Sequence, residues 1–211
     1  MRGQLAALLD GVAAGRFPPA DGGVTILPQP SPRDAGVLAF TAHSVIVIDL
    51  DPAWVRGQLP PGNLAGPVQP QFLQAICAKS GRRVDSMDLV CVAAPRPGPP
   101  PVAMIPATDL GHPRIVRALR YRDDVRAWQA PGGVVLLGRG LAGRWEVAVE
   151  VDPGYRGRGL GRGLAAAARH LVPGGAPLWA QIAPGNAASV RAFLAAGYVP
   201  AGAEALLLAT P

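Results

Sequence analysis

The chain has 211 residues, 49% of them hydrophobic, 16% charged and 5% aromatic, and its 20 basic and 14 acidic side chains leave a formal net charge of +6. At this length folding hides about 70% of the surface of the unfolded chain, so disorder throughout is excluded and one or two small domains are allowed. No stretch approaches the roughly 18 uninterrupted apolar residues of a spanning helix, and Leu5–Leu9 is too short for the core of a secretion signal, so a cytoplasmic protein without a membrane partner is expected.

In chain order, Leu5, Leu8, Leu9 and Val12 repeat at helical spacing and predict a short helix. The β-branched run Ser44–Leu50 predicts a buried strand. Asp51-Pro52 then opens a helix, because an Asp cap accepts from first-turn N–H groups and Pro there loses no hydrogen bond. Phe72, Leu73, Ile76 and Cys77 predict a helix that stops at Gly81, and Asp88–Ala93 predicts another strand. This half carries no motif with assignable chemistry. Cys77 and Cys91 lack the paired spacing of a zinc site and are expected as buried free thiols, with no metal. His43, His112 and His170 have no recognisable nucleophile elbow and are expected as core or surface side chains.

Five of the seven residues Pro95–Pro101 are proline, which reads as a linker and divides the chain into an N-terminal mixed α/β region, residues 1–100, and a second domain, residues 101–211. Beyond it, His112–Arg120 predicts a helix with Ile115 and Leu119 on one face. Val125–Gln129, Val134–Gly138 and Trp145–Val151 predict strands, the first two joined by a hairpin at Pro131-Gly132-Gly133. Trp128 and Trp145 read as core or groove wall. Nineteen of the 20 basic residues are Arg, Lys79 being the exception, so coding bias explains the charge as well as nucleic-acid binding does. Arg114, Arg117, Arg120, Arg122 and Arg126 read as a solvated basic face.

The richest segment runs from Val149 through Asp152-Pro153-Gly154-Tyr155 and Arg156-Gly157-Arg158-Gly159-Leu160-Gly161-Arg162 into Gly163–Leu171: a strand, a glycine-rich loop and a helix striped by Leu160, Leu164 and Leu171. First-turn N–H groups have no intrahelical partner and the helix dipole favours an anion there, so glycines that bare this backbone beside three arginines form a phosphate site in chemical logic. A Walker loop fails because Gly161 is followed by Arg162-Gly163. A dinucleotide fingerprint fails because its third glycine would fall on Arg162 or Leu164.

The pattern Arg-x-x-Gly-x-Gly at Arg156–Gly161 instead resembles the coenzyme A loop of the GNAT N-acetyltransferase superfamily. A second motif agrees: the strand Leu178–Ile182, then Asn186-Ala187-Ala188-Ser189, a helix through Phe193, and Gly197-Tyr198 before a last strand. The resemblance covers roughly Val125 to Leu208. It implies an α/β (α+β) fold with a mixed, largely antiparallel central sheet, splayed parallel strands and flanking helices, and an acetyl-CoA-dependent transfer to an amine acceptor, small molecule or protein. A bulge is implied in the strand before the loop.

Carried over by position, the resemblance implies that backbone groups of Val149 and Val151 bind the acetyl and pantetheine parts, with an N–H stabilising the oxyanion. It implies that Arg156, Gly157, Arg158, Gly159, Leu160, Gly161 and Arg162 wrap the pyrophosphate, that Asn186 and Ser189 face the pantetheine, and that Arg191 reaches the CoA phosphates. Asn186 is equally good as a plain helix cap. Glu146 and Glu150 are the acidic residues on the acetyl-bearing strand, and either is a candidate base or a paired, solvent-facing carboxylate. Phe193 stands where many relatives carry a tyrosine acid. The rival functions are an inactive acyl-CoA-binding module and, further off, a nucleic-acid binder. Residues 1–100 read as an accessory region or a degenerate second copy of the fold. The oligomeric state is left open, a homodimer included.

Overall fold

Helices form at Gln4–Ala13 (α1), Pro52–Gly57 (α2), Pro70–Ser80 (α3), Pro113–Tyr121 (α4), Leu160–Ala168 (α5) and Ala187–Ala195 (α6) in the computed structural model, which describes residues 3–210. The strands are Val24–Leu27 (β1), Gly36–Phe40 (β2), His43–Val47 (β3), Arg82–Ala93 (β4), Ile105–Pro106 (β5), Asp123–Ala130 (β6), Gly133–Arg139 (β7), Trp145–Val151 (β8), Leu178–Ile182 (β9) and Val199–Ala209 (β10). The chain divides into two units, Met1–Leu89 with Ala201–Pro211, and Val90–Pro200. No described helix is long and apolar enough to cross a membrane.

In the first unit the strand order is β1-β3-β2-β10-β4, with β1 parallel to β3 and the β2–β3 and β2–β10 pairs antiparallel. Val37, Ile46, Ile48, Phe72, Ile76 and Leu207 form its core, which packs the apolar faces of α2 and α3 onto the sheet. Both helix boundaries follow the local chemistry anticipated for them. The Asp51 carboxylate accepts from the Ala53 N–H at 3.1 Å, and Gly81 ends α3 in the left-handed region at φ +66°. His43 is a core histidine bonded through both ring nitrogens, Nδ1 to Asp21 at 2.8 Å and Nε2 to the Thr25 hydroxyl at 2.9 Å. This bond holds the Asp21 carboxyl below its usual range. Cys77 here and Cys91 in the second unit are buried and free.

In the second unit β9-β8-β7-β6-β5 lie in that order, antiparallel except for β8–β9. The β6–β7 hairpin closes through Pro131 and Gly132, the latter at φ +82°. The Tyr155 ring lies over Gly132, where a Cβ would overlap it. α4 is capped by His112 and packs on the sheet through Ile115 and Ala118, with Leu136 and Ala148. Leu119, expected beside Ile115, is instead 56% exposed, because Ala118 is the residue that the helical turn brings onto the sheet. Leu171 likewise falls beyond the end of α5, whose buried face is Leu164, Ala165, Ala167 and Ala168. The proline-rich segment has neither helix nor strand, but it is tied to the end of α5. The Arg96 N–H donates to the Arg169 carbonyl at 2.9 Å, and Arg169 Nε donates to the Ala94 carbonyl at 2.9 Å.

Candidate active site

β7 and β8 pair in continuous register from Arg139–Trp145 to Gly133–Val151. The bulge implied for β8 is therefore absent, and the register shift falls on β6 instead, between Asp123 and Arg126, where Asp124 takes φ +49°. Without a bulge the alternation of β8 is regular. Ala148 packs with α4, whereas Val151 meets Gly161 of α5, so Glu146 and Glu150 share the α4 face.

β9 accompanies β8 for three rungs only: Trp145–Leu178, Glu146–Trp179 and Val147–Ala180. Both strands then run on, β8 to Val151 and β9 to Ile182, without further pairing in the ladder. A parallel pair that stops sharing hydrogen bonds leaves backbone donors and acceptors for a third party between the strands. Val149 and Val151, both half-buried, lie on the part of β8 that is paired with β7 but not with β9.

The loop follows directly. Residues 152–159 are exposed, Gly157 and Gly159 take φ +75° and +82°, and Gly159 caps α5. Arg156 folds back so that its Nε donates to the Val151 carbonyl at 3.1 Å. The first-turn N–H groups of Leu160, Gly161 and Arg162 have no intrahelical acceptor, and Arg158 and Arg162 are exposed beside them. Gly161 faces Val151 and Ala192, which brings the end of β8, the start of α5 and α6 together. Asn186 caps α6, its Oδ1 accepting from the Ser189 N–H at 3.1 Å, and Arg191 is exposed on that helix. Phe193 is buried edge-on against Tyr198, with ring centroids 4.9 Å apart. The Tyr198 hydroxyl donates to the Ala165 carbonyl at 3.2 Å, and burial pushes that phenol far up.

The two carboxylates of β8 have opposite environments. Glu146 is 3% exposed; its Oε1 accepts from Arg144 Nε at 2.9 Å and its Oε2 from Arg122 Nε at 3.0 Å. Burial alone would raise its carboxyl, but the two guanidiniums, the Arg144 hydrogen bond and the Leu141 N–H outweigh it and hold the group below the usual carboxylate range. Glu150 is half-exposed and pairs with Arg114 at 2.9 Å. The five arginines read as one basic face are thereby separated. Arg114 and Arg122 pair with the two glutamates, Arg117 and Arg120 lie over Tyr121, and Arg126 lies over Trp145, a buried side chain.

Residues 120–198 match the family model described as acetyltransferase (GNAT) family. The chain carries a GNAT acetyltransferase domain. Similar solved structures include a GCN5-related N-acetyltransferase from Kribbella flavida, with 18% identity and a TM-score of 0.43 over 66% of this chain and 64% of that one. Another is an acetyltransferase from the GNAT family of Colwellia psychrerythraea, with 13% identity and a TM-score of 0.41 over 64% and 60% of the two chains. A third is a GCN5-related N-acetyltransferase from Sphaerobacter thermophilus, with 15% identity and a TM-score of 0.40 over 64% and 55%. The chain spans less than two thirds of the length of each of these three. No curated protein matches it.

The GNAT domain also holds residues that sequence reasoning passed over. Arg144 had no role assigned to it, although its spacing of two from Glu146 hints at a shared face. Arg122 and Gln181 come together only through the fold, Arg122 Nη2 donating to Gln181 Oε1 at 3.2 Å across 59 positions of sequence.

Proposed function

We propose that the GNAT domain is an N-acetyltransferase that moves an acetyl group directly from acetyl-CoA to an amine. The observation that carries this reading is the parting of β8 from β9 after Val147–Ala180, beside a loop whose glycines and arginines suit a pyrophosphate. The backbone of Val149 and Val151 would hold the acyl and pantetheine groups. Arg156 to Arg162 would wrap the phosphates by first-turn N–H groups and guanidiniums. Ser189 and Arg191 line the same approach from α6. Asn186 is assigned there too, with its Oδ1 engaged in the cap.

A lysine-like amine with pKa about 10.4 costs about 4 to 5 kcal/mol to deprotonate at pH 7, so a base lowers the barrier. We assign that role to Glu150, which is half-exposed and on the part of β8 that β9 no longer accompanies. Glu146, held by two arginines, serves in its place as a fixed anion. The amine nitrogen forms the C–N bond, its proton passes to Glu150 directly or through water, the C–S bond breaks, and the thiolate is protonated by solvent. Solvent is the acid because Phe193 has no hydroxyl to give. That same residue supports a second reading, an acyl-CoA-binding module without turnover. Residues 1–100 are proposed as an accessory region of the enzyme.

The test is a calorimetric titration with acetyl-CoA followed by thiol-release assays over a panel of amines. Micromolar binding with amine-dependent CoA release supports the enzyme; binding without release leaves the binding module; a folded protein that gives no heat overturns both.

A further inference from the structure

The end of the β8–β9 pairing after Val147–Ala180 needs a cause. No proline lies on β8 between Val147 and Val151 or on β9 between Ala180 and Ile182, so the ladder does not end for want of a donor. On the α4 face of the sheet, at this level, a guanidinium spans the two strands. Arg122 sits at the end of α4 with its side chain 14% exposed, and it reaches both strands: Nε donates to Glu146 on β8 at 3.0 Å and Nη2 to Gln181 on β9 at 3.2 Å.

The Glu146 end of this bridge is fixed from behind. The Glu146 carboxylate also accepts from Arg144 Nε and from the Leu141 N–H at 3.4 Å, so it cannot swing to follow Gln181. Two glycines clear the space. A Cβ at Gly140 would overlap the Glu146 carboxyl, and one at Gly138 would stand 2.9 Å from the Arg122 Cβ. The planar fork of arginine makes two bonds in set directions, which a lysine ammonium does not.

We propose that Arg122 and Gln181 form a strut, two positioning residues that set the separation of β8 and β9 beyond Val147–Ala180. Given the acetyltransferase reading, the strut thereby sets the seat of the acyl thioester. The strut itself is a property of the unliganded protein and is measured there first.

The variants are Gln181→Met, which keeps the length of the side chain and removes the acceptor, Gln181→Glu, which restores one, and Arg122→Lys. Backbone hydrogen exchange is followed in the segments 145–151 and 178–182, with the β6–β7 hairpin as internal control. Losing a hydrogen bond to a charged group should speed exchange in those two segments about tenfold or more in Gln181→Met and Arg122→Lys, with the hairpin unchanged and Gln181→Glu restored to the parent rate. Acetyl-CoA affinity, titrated in parallel, should fall by a similar factor in the first two and recover in Gln181→Glu. Parental exchange in Gln181→Met, or no recovery in Gln181→Glu, overturns the strut. Faster exchange in a protein whose parent form does not bind acetyl-CoA upholds the strut and removes the acyltransferase reading instead.

Discussion

Val147 and Ala180 form the last rung between β8 and β9, and Glu146, one residue before it, is bonded to both Arg122 and Arg144. The adjacency ties the stability of the domain to the geometry of its cleft, because the ion pairs at Glu146 stand where the strands begin to part.

Removing the Glu146 carboxylate leaves Arg144 and Arg122 buried without their shared counter-charge. Glu146→Leu is therefore expected to cost about 3 to 5 kcal/mol in urea unfolding at pH 7. The pH dependence has a definite sign. The folded carboxyl lies below its unfolded value of about 4.3, so its contribution is complete above that pH and fades as pH falls through the folded value. The gap between parent and variant should accordingly narrow in acid. A gap that widens below pH 4 would contradict the assignment.

Gly159 occupies the left-handed region at φ +82° and caps α5. Gly159→Asp adds backbone strain of about 1 to 2 kcal/mol and a negative charge where the helix dipole favours an anion from outside. Acetyl-CoA binding should fall below detection while the melting temperature drops by only a few degrees. Arg156→Ala, which strains nothing, should weaken binding roughly tenfold or more. Parental affinity in both would remove the loop from the site.

The elements that could be read from the sequence are those set by local chemistry. β8 follows from its β-branched and aromatic run, the β6–β7 turn from Pro131-Gly132, and the ends of α2 and α3 from Asp51 and Gly81, whereas β9 was read as part of the second motif. The turn into α5 was legible as a glycine-rich loop before a helix, and Gly157 and Gly159 take the left-handed φ values that glycine allows. The parting of β8 from β9 was implied by the family resemblance alone. The strut was not legible, since Arg122, Glu146 and Gln181 are brought together by tertiary packing and their spacing carries no period. Leu119 was misplaced for a simpler reason: a helix resting on a flat sheet buries a narrow stripe, and Ile115 with the small Ala118 fills it.

Cys91 is fully buried, and desolvation pushes its thiol up to about 11. At pH 8 about 0.1% of such a thiol is thiolate, against roughly a quarter of an unperturbed one. In a Cys77→Ala background, a chromogenic disulfide reagent should leave Cys91 unlabelled for hours in native buffer and label it at once in urea. Rapid labelling of the folded protein would mean that β4 opens near Cys91.

The role of Glu150 separates chemistry from architecture. Its partner Arg114 is exposed, so Glu150→Gln breaks a surface pair worth at most about 1 kcal/mol and should leave melting temperature and acetyl-CoA affinity close to parental. If Glu150 accepts the amine proton, kcat should fall about 100-fold or more, and the loss should shrink as pH rises and free amine accumulates. Arg114→Gln keeps the carboxylate and removes its counter-charge, so turnover should survive. A Glu150→Gln enzyme with a parental pH profile would move the base elsewhere, to solvent at the mouth of the cleft.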